Sequence, residues 1–485
     1  MNTLAQSLQG TPCETKQYWI ILTLISACLG AIPLMPLEIL CPLTIIVGGI
    51  LLGALFIGTT AREEFDKVFT VFFVTFLLKV ILATGLATLS LADDGDAFFL
   101  SRDDAAYSID GEWIARMWNM GYFLSRSEIL TVYMPWNGSL GNYDFWNAKI
   151  YYFCGYSPFS LLYLNCLAVS LAVILVYLIC REMGLKKAGI IAAWLTAFCP
   201  SLNLWATQNL KDPFLILATL AGVWSLMRLR RGFHFVACIM LGVAGILLFY
   251  FRLPLLALFM AVIPLWLFFT SDIWFLHKRR WIKVFLLCAL IAFPFMNVIR
   301  ARISIHHILG IPGDTNIFHW IDFNRSVRAY GATAFMPDVD LSSPLAILKF
   351  LPVGMFVAIF SPFPWQLGSS RQIVSAPEML LVYLLFPYAI AGISYIWKNR
   401  YRETALIAAV MLTTFSFIAL FDANIGTMFR HKSIVFPFII IFIAQGYCLK
   451  KEEALAEKKG VCAQPGRGDT SYAGDISETC DTYEQ

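Results

Sequence analysis

The chain has 485 residues, of which 59% are hydrophobic and only 14% are charged. Soluble globular domains carry about 25% charged residues, so this composition excludes an ordinary soluble domain and indicates a membrane protein. The formal net charge of +4 at pH 7 gives no indication of a nucleic-acid partner.

Apolar runs recur along the whole chain, and each has the length of about 17–25 residues that crosses a hydrocarbon core of roughly 30 Å. Because lipid offers no partner for backbone N–H and C=O groups, runs of this kind must form helices. In chain order, the predicted helical runs are 18–34, 37–60, 68–92, 158–180, 188–208, 212–228, 233–251, 254–270, 283–299, 346–364, 378–397, 403–421 and 433–449.

Short basic connectors give the orientation, since Lys and Arg are enriched on the cytoplasmic side of membrane proteins. These connectors are residues 61–67, 181–187, 228–232, 277–283, 398–402 and 450–451. With all of them inside, the loops 93–157 and 300–345 and the short stretch 422–432 lie outside. A full span at 346–364 would make the number of crossings between two inside connectors odd. This segment, which contains prolines and Lys349, is therefore predicted to be re-entrant or interfacial.

The predicted fold is therefore an all-α polytopic membrane protein with about twelve transmembrane helices, one re-entrant or interfacial segment and two large outer loops bearing short helices. Residues 1–450 form one integral membrane domain, and the charged segment 451–485 is a disordered cytoplasmic tail. Loops as long as 93–157 and 300–345 rarely serve only as connections, so function is expected there.

The first outer loop opens with a dense acidic stretch, residues 93–118, DDGDAFFLSRDDAAYSIDGEWIARMW. Ser101 followed by Asp104 fits an N-terminal capping pattern and predicts a helix that begins near residue 102. One face of that helix would carry a carboxylate, a phenol and an indole at three- and four-residue spacing, which is typical of a sugar-binding wall. The residues of this face are Asp104, Tyr107, Gly111, Ala115 and Trp118.

A structural interpretation of the same residues competes with this one. Asp104 is then only a capping residue, and Asp94 and Asp96 are solvated turn residues. Carboxylates beside a membrane carry a desolvation cost and tend to be functional, which favours the first interpretation. No cofactor follows from the sequence, although Asp94 and Asp96, with Asp103 and Asp104, are candidate ligands for a divalent metal.

An acidic motif in the first large outer loop, directly after a transmembrane helix, resembles the GT-C superfamily of glycosyltransferases. It is similar in particular to the family 39-type bacterial enzymes, which include the aminoarabinose transferase and the rhizobial Rgt transferases. The matching residues are Asp103 and Asp104, followed by Tyr107, and further similarity runs through 155–184 and 193–224, so that the resemblance covers about residues 85–450. One departure is that two helices, about 18–60, precede the span that leads into the motif.

The resemblance implies an integral membrane enzyme that takes a sugar from a polyprenyl-phosphate carrier. It also implies that Asp104 or Asp103 acts as the general base on the acceptor hydroxyl. Attack from the face opposite the phosphate would invert the anomeric carbon, and Tyr107 and Trp118, on the predicted sugar-binding face, are the expected substrate contacts. The expected partners are the lipid-linked sugar donor, a glycan, lipid or protein acceptor, and the bilayer. The expected location is the bacterial cytoplasmic membrane, as a multi-pass protein.

Basic groups on the predicted outer side break the usual charge bias. They are Lys211, Arg252, Arg430 and His431, with Lys432 beside them. A phosphate leaving group accounts for such cations, because Arg binds phosphate oxygens in a bidentate manner and Lys supplies a compact charge. The alternatives are that Lys211 only snorkels beside a helix start at Asp212-Pro213 and that Arg252 is an interfacial anchor.

The second outer loop mixes histidines with acidic and basic residues, and by position it is either a lid over the sugar site or a passive cap. Its polar residues include His306, His307, His319, Asp322, Arg325 and Arg328. The predicted function is a glycosyltransferase that acts outside the cytoplasmic membrane. A polysaccharide polymerase or ligase of the O-antigen type, in which Arg and His do more of the work, is the alternative. A transporter is disfavoured because the charges gather at loop edges rather than in mid-span.

Overall fold

The computed structural model describes residues 36–93, 102–124, 128–129, 140–270, 317–329, 333–365 and 370–458. Within these ranges the chain is helical, and the only β-type pairing is an isolated antiparallel bridge between Ala334 and Asn424. The α-helices are α1 Leu37–Thr60, α2 Phe65–Asp93, α3 Arg102–Asn119, α4 Asn142–Cys154, α5 Pro158–Glu182, α6 Lys186–Phe198, α7 Pro200–Ala206, α8 Asp212–Arg231, α9 Phe235–Phe251, α10 Leu253–Thr270, α11 Ile317–Arg328, α12 Pro344–Phe360, α13 Ser370–Asn399, α14 Tyr401–Phe421, α15 Ile425–Lys432 and α16 Phe436–Lys458.

The apolar runs of the sequence coincide with these helices wherever the structure describes them. The predicted runs 37–60 and 158–180, for example, are α1 and α5, and the helix predicted to begin near residue 102 begins at Arg102. The runs 18–34 and 283–299 lie outside the described residues. The all-α fold is thus confirmed for the described part of the chain, because each long apolar run can satisfy its backbone only as a helix.

Six of the described helices are long and apolar enough to cross a membrane, and the number rises to eight if each of two bent pairs is one span. The bent pairs are α6 with α7 and α15 with α16. Shorter apolar helices are α9, part of α10 and α12. The protein is therefore a multi-pass helical membrane protein, whereas the total of twelve spans stays a prediction. The segment predicted as re-entrant or interfacial, 346–364, overlaps α12, Pro344–Phe360, and includes the turn after it.

Both bent pairs contain polar groups at the break. Helix α6 ends at Phe198 and α7 starts with Pro200, at an angle of 56°. Buried Lys79 of α2 donates to the carbonyl of Ala197 at 3.2 Å, near the C-terminus of α6. Buried Glu378 of α13 accepts from the backbone N–H of Ser201 at 2.6 Å, in the first turn of α7. A cation at a helix C-terminus and an anion at a helix N-terminus both complement the helix dipole.

The core of the bundle is formed by α5 and α8, which are buried along nearly all of their length. In the C-terminal part, α13 packs closely on α16. A side chain at Gly392 would collide with the carbonyl oxygen of Phe442, and one at Gly446 would collide with the carbonyl oxygen of Tyr388. The two helices can approach this closely only because both positions lack a Cβ, a form of contact common between membrane helices.

The described basic connectors that were predicted to lie inside gather at one end of the bundle, and the connector 277–283 lies outside the described residues. Lys186 pairs with Glu64 at 2.6 Å, Arg231 pairs with Glu182 at 3.1 Å, and Arg400 donates to the carbonyl of Met183 at 3.1 Å. Helix α8 ends at this end of the bundle and helix α14 begins there, and the opposite end of each helix reaches the cavity described below. In the predicted first outer loop the structure describes α3 and α4, and in the predicted second outer loop it describes α11. Of the predicted disordered tail 451–485, residues up to Lys458 belong to α16 and the rest lies outside the described residues.

Candidate active site

A polar cavity with a volume of about 520 Å³ lies at the end of the bundle opposite the basic connectors. Its charged lining comes from five separate parts of the chain, namely α3, the start of α8, the start of α10, α11, and the stretch from the end of α14 through α15. The charged and ionisable residues are Asp103, Lys211, Arg252, Arg328, Asp422, Arg430 and His431. The remaining lining includes Pro254, Trp320, Asn324, Phe417, Phe421, Ala423, Asn424 and Thr427. The cavity thus brings together Asp103, one of the two predicted catalytic carboxylates, and all four residues predicted to bind phosphate, whereas Asp104 is not in its lining.

Arg430 lies between two carboxylates. Its Nη1 donates to Oδ2 of Asp103 at 2.7 Å, and its Nε is 3.4 Å from Oδ2 of Asp212. Asp212 is fully buried, whereas the side chain of Asp103 is 50% exposed. The inner carboxylate therefore holds the guanidinium in position, and the outer carboxylate can exchange its partner when a ligand enters.

Lys211 and Arg252 are cations without a carboxylate partner within 4 Å among the described residues. Lys211 lies over the ring of Tyr107 at 6.0 Å, and Arg252 contacts Nδ1 of His431 at 3.5 Å. Burial, followed by the charge of Arg252, lowers the pKa of Lys211, and burial also lowers the pKa of Arg252. Nη1 of Arg252 is buried without a hydrogen-bond acceptor. An anionic ligand would relieve both the mutual repulsion and the missing acceptor.

His431 is held by a carboxylate that sequence reasoning did not single out. Its Nδ1 is 2.5 Å from Oδ2 of Asp422, which directly follows α14. Burial alone would raise the pKa of Asp422, but His431 and Arg252 outweigh burial and lower it. Asn424 then starts α15 by accepting hydrogen bonds from the backbone N–H groups of Gly426 and Thr427. The turn from Asp422 to Asn424 therefore fixes the helix that carries Arg430 and His431.

The two adjacent aspartates of α3 differ in environment. Asp103 lines the cavity, but Asp104 is only 1% exposed, and its Oδ1 accepts from the backbone N–H of Ala105 at 2.8 Å. The backbone carbonyl of Asp104 accepts from Nδ2 of Asn209 at 3.3 Å. Consecutive residues of a helix point about 100° apart, so the two neighbouring aspartates face different surroundings. Asp103 faces the cavity, and Asp104 faces the protein interior.

The predicted substrate-contacting aromatic residues lie away from the cavity lining. Tyr107 packs edge-on against Tyr143 at 5.0 Å, and burial, with the charge of Asp103, raises its pKa. Trp118 packs between Phe145 at 6.4 Å and Tyr152 at 5.9 Å in a separate apolar cluster of α3 and α4. The periodic face of α3 is thus a packing face against α4, and a Cβ on Gly111 would collide there with Asn147.

A buried polar network fixes the loop between α7 and α8, which carries Lys211. Nδ2 of Asn165 donates to the carbonyls of Gln208 at 2.6 Å and Leu210 at 2.9 Å. The hydroxyl of Tyr143 lies 3.0 Å from Oδ1 of Asn209. Through Asn209 this loop is also bonded to the start of α3, so Lys211 and Asp103 share one rigid support.

No group of three or more His, Cys, Asp or Glu side chains in the described ranges has the arrangement of a metal site. Asp94 and Asp96, the candidate metal ligands, lie outside those ranges, so a divalent metal there stays a prediction. Trp320, Asn324 and Asp422 were missed as site residues, and Arg328 was noticed only as part of a mixed loop. A single sequence shows no signal for them, because they meet the other site residues only in the folded chain.

Comparison with known proteins gives one family match. Residues 145–297 match the model of the dolichyl-phosphate-mannose-protein mannosyltransferase family, which covers less than half of the chain, from α4 to beyond α10. No curated protein matches the sequence significantly. Among solved structures, the Archaeoglobus fulgidus oligosaccharyltransferase in its apo form is similar at 17% identity with a TM-score of 0.44. The match covers 81% of this chain and 52% of that one, so the chain spans about half the length of that structure.

Proposed function

We propose that this membrane glycosyltransferase of the GT-C type moves a sugar from a polyprenyl-phosphate carrier to an envelope glycan, lipid or protein acceptor. The name of the matching family, which pairs a lipid phosphate with a sugar, supports the donor class. We further propose that the reaction takes place on the outer face of a bacterial cytoplasmic membrane. The basic connectors at the opposite end of the bundle support that side, since cytoplasmic ends carry the excess of Lys and Arg.

One observation carries the proposal, namely that an exposed carboxylate and several phosphate-type cations line a single cavity. Among the described lining residues, the cations Lys211, Arg252, Arg328 and Arg430 outnumber the carboxylates Asp103 and Asp422. A lipid phosphodiester carries one negative charge, and the phosphate monoester left after sugar transfer carries about −1.5 to −2 at pH 7. An excess of positive charge therefore stabilises the released phosphate monoester more than the phosphodiester of the donor. The same charge stabilises the negative charge that develops as the phosphate leaves, which lowers the barrier to transfer.

In the proposed mechanism Asp103 is the general base. Its carboxylate takes the proton of the acceptor hydroxyl as the acceptor oxygen forms a bond to the anomeric carbon. The bond from that carbon to the phosphate oxygen breaks at the same time, and its electron pair stays on the carrier phosphate. The incoming oxygen and the leaving phosphate occupy opposite faces of the sugar, so the configuration at the anomeric carbon inverts.

Asp103 is preferred over Asp104 on the basis of access. A general base must come within hydrogen-bonding distance of the proton that it removes. The half-exposed side chain of Asp103 meets this condition in the cavity, whereas Asp104 is buried against the loop before α8. Lys211, Arg252 and Arg430 are then the groups that bind the carrier phosphate. Tyr107 and Trp118, predicted to bind substrate, act in this proposal by supporting α3.

A second candidate function is a polysaccharide polymerase or ligase of the O-antigen type. The contact chain from Arg252 to His431 to Asp422 favours it, because Arg and His rather than a carboxylate would then carry the chemistry. The two functions differ in their dependence on Asp103. Transfer that survives the loss of both Asp103 and Asp104 but is abolished by the loss of Arg430 would favour the ligase.

The test uses the full chain in lipid nanodiscs, with dolichyl-phosphate [¹⁴C]mannose or a bacterial polyprenyl-phosphate sugar as donor and a total envelope extract as acceptor. We expect label to leave the carrier and to appear in one glycan, lipid or protein fraction, with an equal amount of polyprenyl phosphate released. Proteoliposomes that move a labelled solute across the bilayer, with no transfer from any donor, would instead indicate a transporter.

A further inference from the structure

Helix α11 presents a polar stripe to the cavity, and the mechanism above uses only the positive charge of its Arg328. Trp320, Asn324 and Arg328 line the cavity, and their spacing of four residues places them along one side of the helix. Phe323 and Val327, also four residues apart, are 65% and 59% exposed on another side. The helix therefore has an inner polar side with one indole ring and an outer apolar side.

Helix α11 is fixed rather than loosely laid over the cavity. Arg325 is only 2% exposed, and its guanidinium donates to the carbonyls of Ala419 at 3.0 Å and Phe335 at 2.7 Å. Oδ1 of Asp322 accepts from the backbone N–H of Leu341 at 2.8 Å. The inner stripe is therefore held at a fixed position relative to the end of α14, which is the condition for a preorganised binding wall.

A row of aromatic rings runs from Arg252, one of the proposed phosphate-binding cations, to Trp320 in the stripe. The guanidinium of Arg252 lies 5.3 Å from the ring of Phe417, which stacks on Phe421 at 4.6 Å. Phe421 in turn meets Trp320 edge-on at 5.3 Å. In an inverting displacement the leaving phosphate and the incoming hydroxyl lie on opposite faces of the transferred sugar. With the phosphate at Arg252, the far end of this row is the natural place for the acceptor.

We propose that Trp320, Asn324 and Arg328 form the binding wall for a sugar residue of the acceptor, which makes the acceptor a glycan or glycolipid. This inference rests on the proposed transferase function. The face of an indole packs against the C–H face of a pyranose, and amide and guanidinium groups form hydrogen bonds with sugar hydroxyls. Asn324 and Arg328 would do so beside the bonds that they already donate, from Nδ2 to the carbonyl of Trp320 at 2.9 Å and from Nη1 to the carbonyl of Phe421 at 3.3 Å.

The test is photo-crosslinking of the full chain in nanodiscs with a diazirine-tagged octyl β-glucoside, followed by peptide mass spectrometry. We expect label on the peptide that contains 317–328, competed by untagged octyl β-glucoside and not by polyprenyl phosphate. Trp320→Ala should reduce this label roughly tenfold, the change that follows from losing about 1.4 kcal/mol. Phe323→Ala, on the exposed side of the same helix, is the matched control and should keep the wild-type yield.

Three outcomes would overturn the proposal. Displacement of the label by polyprenyl phosphate would show that the stripe binds the donor. Equal labelling by a diazirine-tagged octyl phosphocholine would show that the label recognises only an apolar surface. Unchanged labelling in both Trp320→Ala and Asn324→Ala would show that the stripe does not bind sugar. If Trp320→Ala fails to fold, Asn324→Ala alone provides this test. Transfer by the wild-type chain is measured in parallel, so that failure of the transferase function is seen separately.

Discussion

Asp103 and Arg430 are 327 residues apart in the chain, and a hydrogen bond of 2.7 Å joins them at the edge of the cavity. Asp212 contacts the same guanidinium from the buried side. In the proposed reaction the carrier phosphate competes with Asp103 for Arg430. Donor binding would then release the carboxylate of Asp103 when it is needed as a base. Without the donor, this carboxylate would stay hydrogen-bonded to Arg430.

Asp103→Asn should reduce sugar transfer by about 10²–10⁴-fold, the usual contribution of a general base. The amide retains an oxygen that can accept from Arg430, so folding and membrane insertion should stay normal. The measurement is the initial rate of transfer in nanodiscs, with protein amount controlled by size-exclusion chromatography. Asp104→Asn should retain transfer. If instead Asp104→Asn is inactive while Asp103→Asn is active, the base is Asp104.

Arg430→Lys should raise the KM for the lipid donor by roughly 10- to 100-fold, because a point charge replaces a fork that makes charge-assisted hydrogen bonds of about 1.5–3 kcal/mol. The KM for the acceptor should change much less. Arg116→Lys is the matched control, since Arg116 is 70% exposed on α3 and pairs only with Glu112. An equal rise of both KM values would argue against a phosphate role for Arg430.

Asp144→Asn should change how stability depends on pH. Burial raises the pKa of Asp144 from its ordinary value of 3.8 to about 6. The folded state then holds a proton that the unfolded state releases between about pH 4 and pH 6, so this group lowers stability as pH rises through that window. A shift of two units corresponds to about 3 kcal/mol.

The measurement is the melting temperature of the purified protein at pH 4 to 7, with and without the substitution. Asp144→Asn should gain stability over wild type as the pH rises and match it at pH 4. Asp338→Asn, at an exposed carboxylate, is the control. Parallel curves for wild type and Asp144→Asn would refute the expectation.

Glu378→Ala should lower the free energy of unfolding by about 2–4 kcal/mol, because it removes two hydrogen bonds and leaves buried charge uncompensated. Glu378 accepts from the backbone N–H of Ser201 at 2.6 Å and from its hydroxyl at 2.7 Å, and it interacts electrostatically with buried Lys432. Thermal unfolding in detergent measures the change. Glu453→Ala, at an exposed site of α16, should have almost no effect; a similar loss there would point to a general effect of removing acidic charge.

The helical fold was readable from the sequence because each long apolar run has only one way to satisfy its backbone in lipid. The break between α6 and α7 was not readable, since both halves of the predicted run 188–208 are apolar and the polar groups that stabilise the break, Lys79 and Glu378, come from distant helices. A run of hydrophobic residues indicates a helix but not whether that helix is straight.

The candidate site was readable in part. Cations on the side disfavoured by the charge bias pointed to Lys211, Arg252 and Arg430, and all of them line the cavity. Helical periodicity, in contrast, grouped Asp104 with Trp118, and that face packs against α4. The pattern was a true helical face, but periodicity does not tell which surface the face meets. Asp422 and Trp320 join the site only through tertiary contacts.

The crossing of α13 and α16 at Gly392 and Gly446 has a consequence for distant parts of the molecule. Helix α16 follows α15 after a three-residue turn, so the depth at which α16 sits against α13 also sets the position of Arg430 and His431. A bulkier residue at either glycine would push the backbones of α13 and α16 apart. That movement would also displace α15, which carries Arg430 and His431. Random mutagenesis screened for lost transfer should therefore recover changes at these glycines, in a region that no substrate touches.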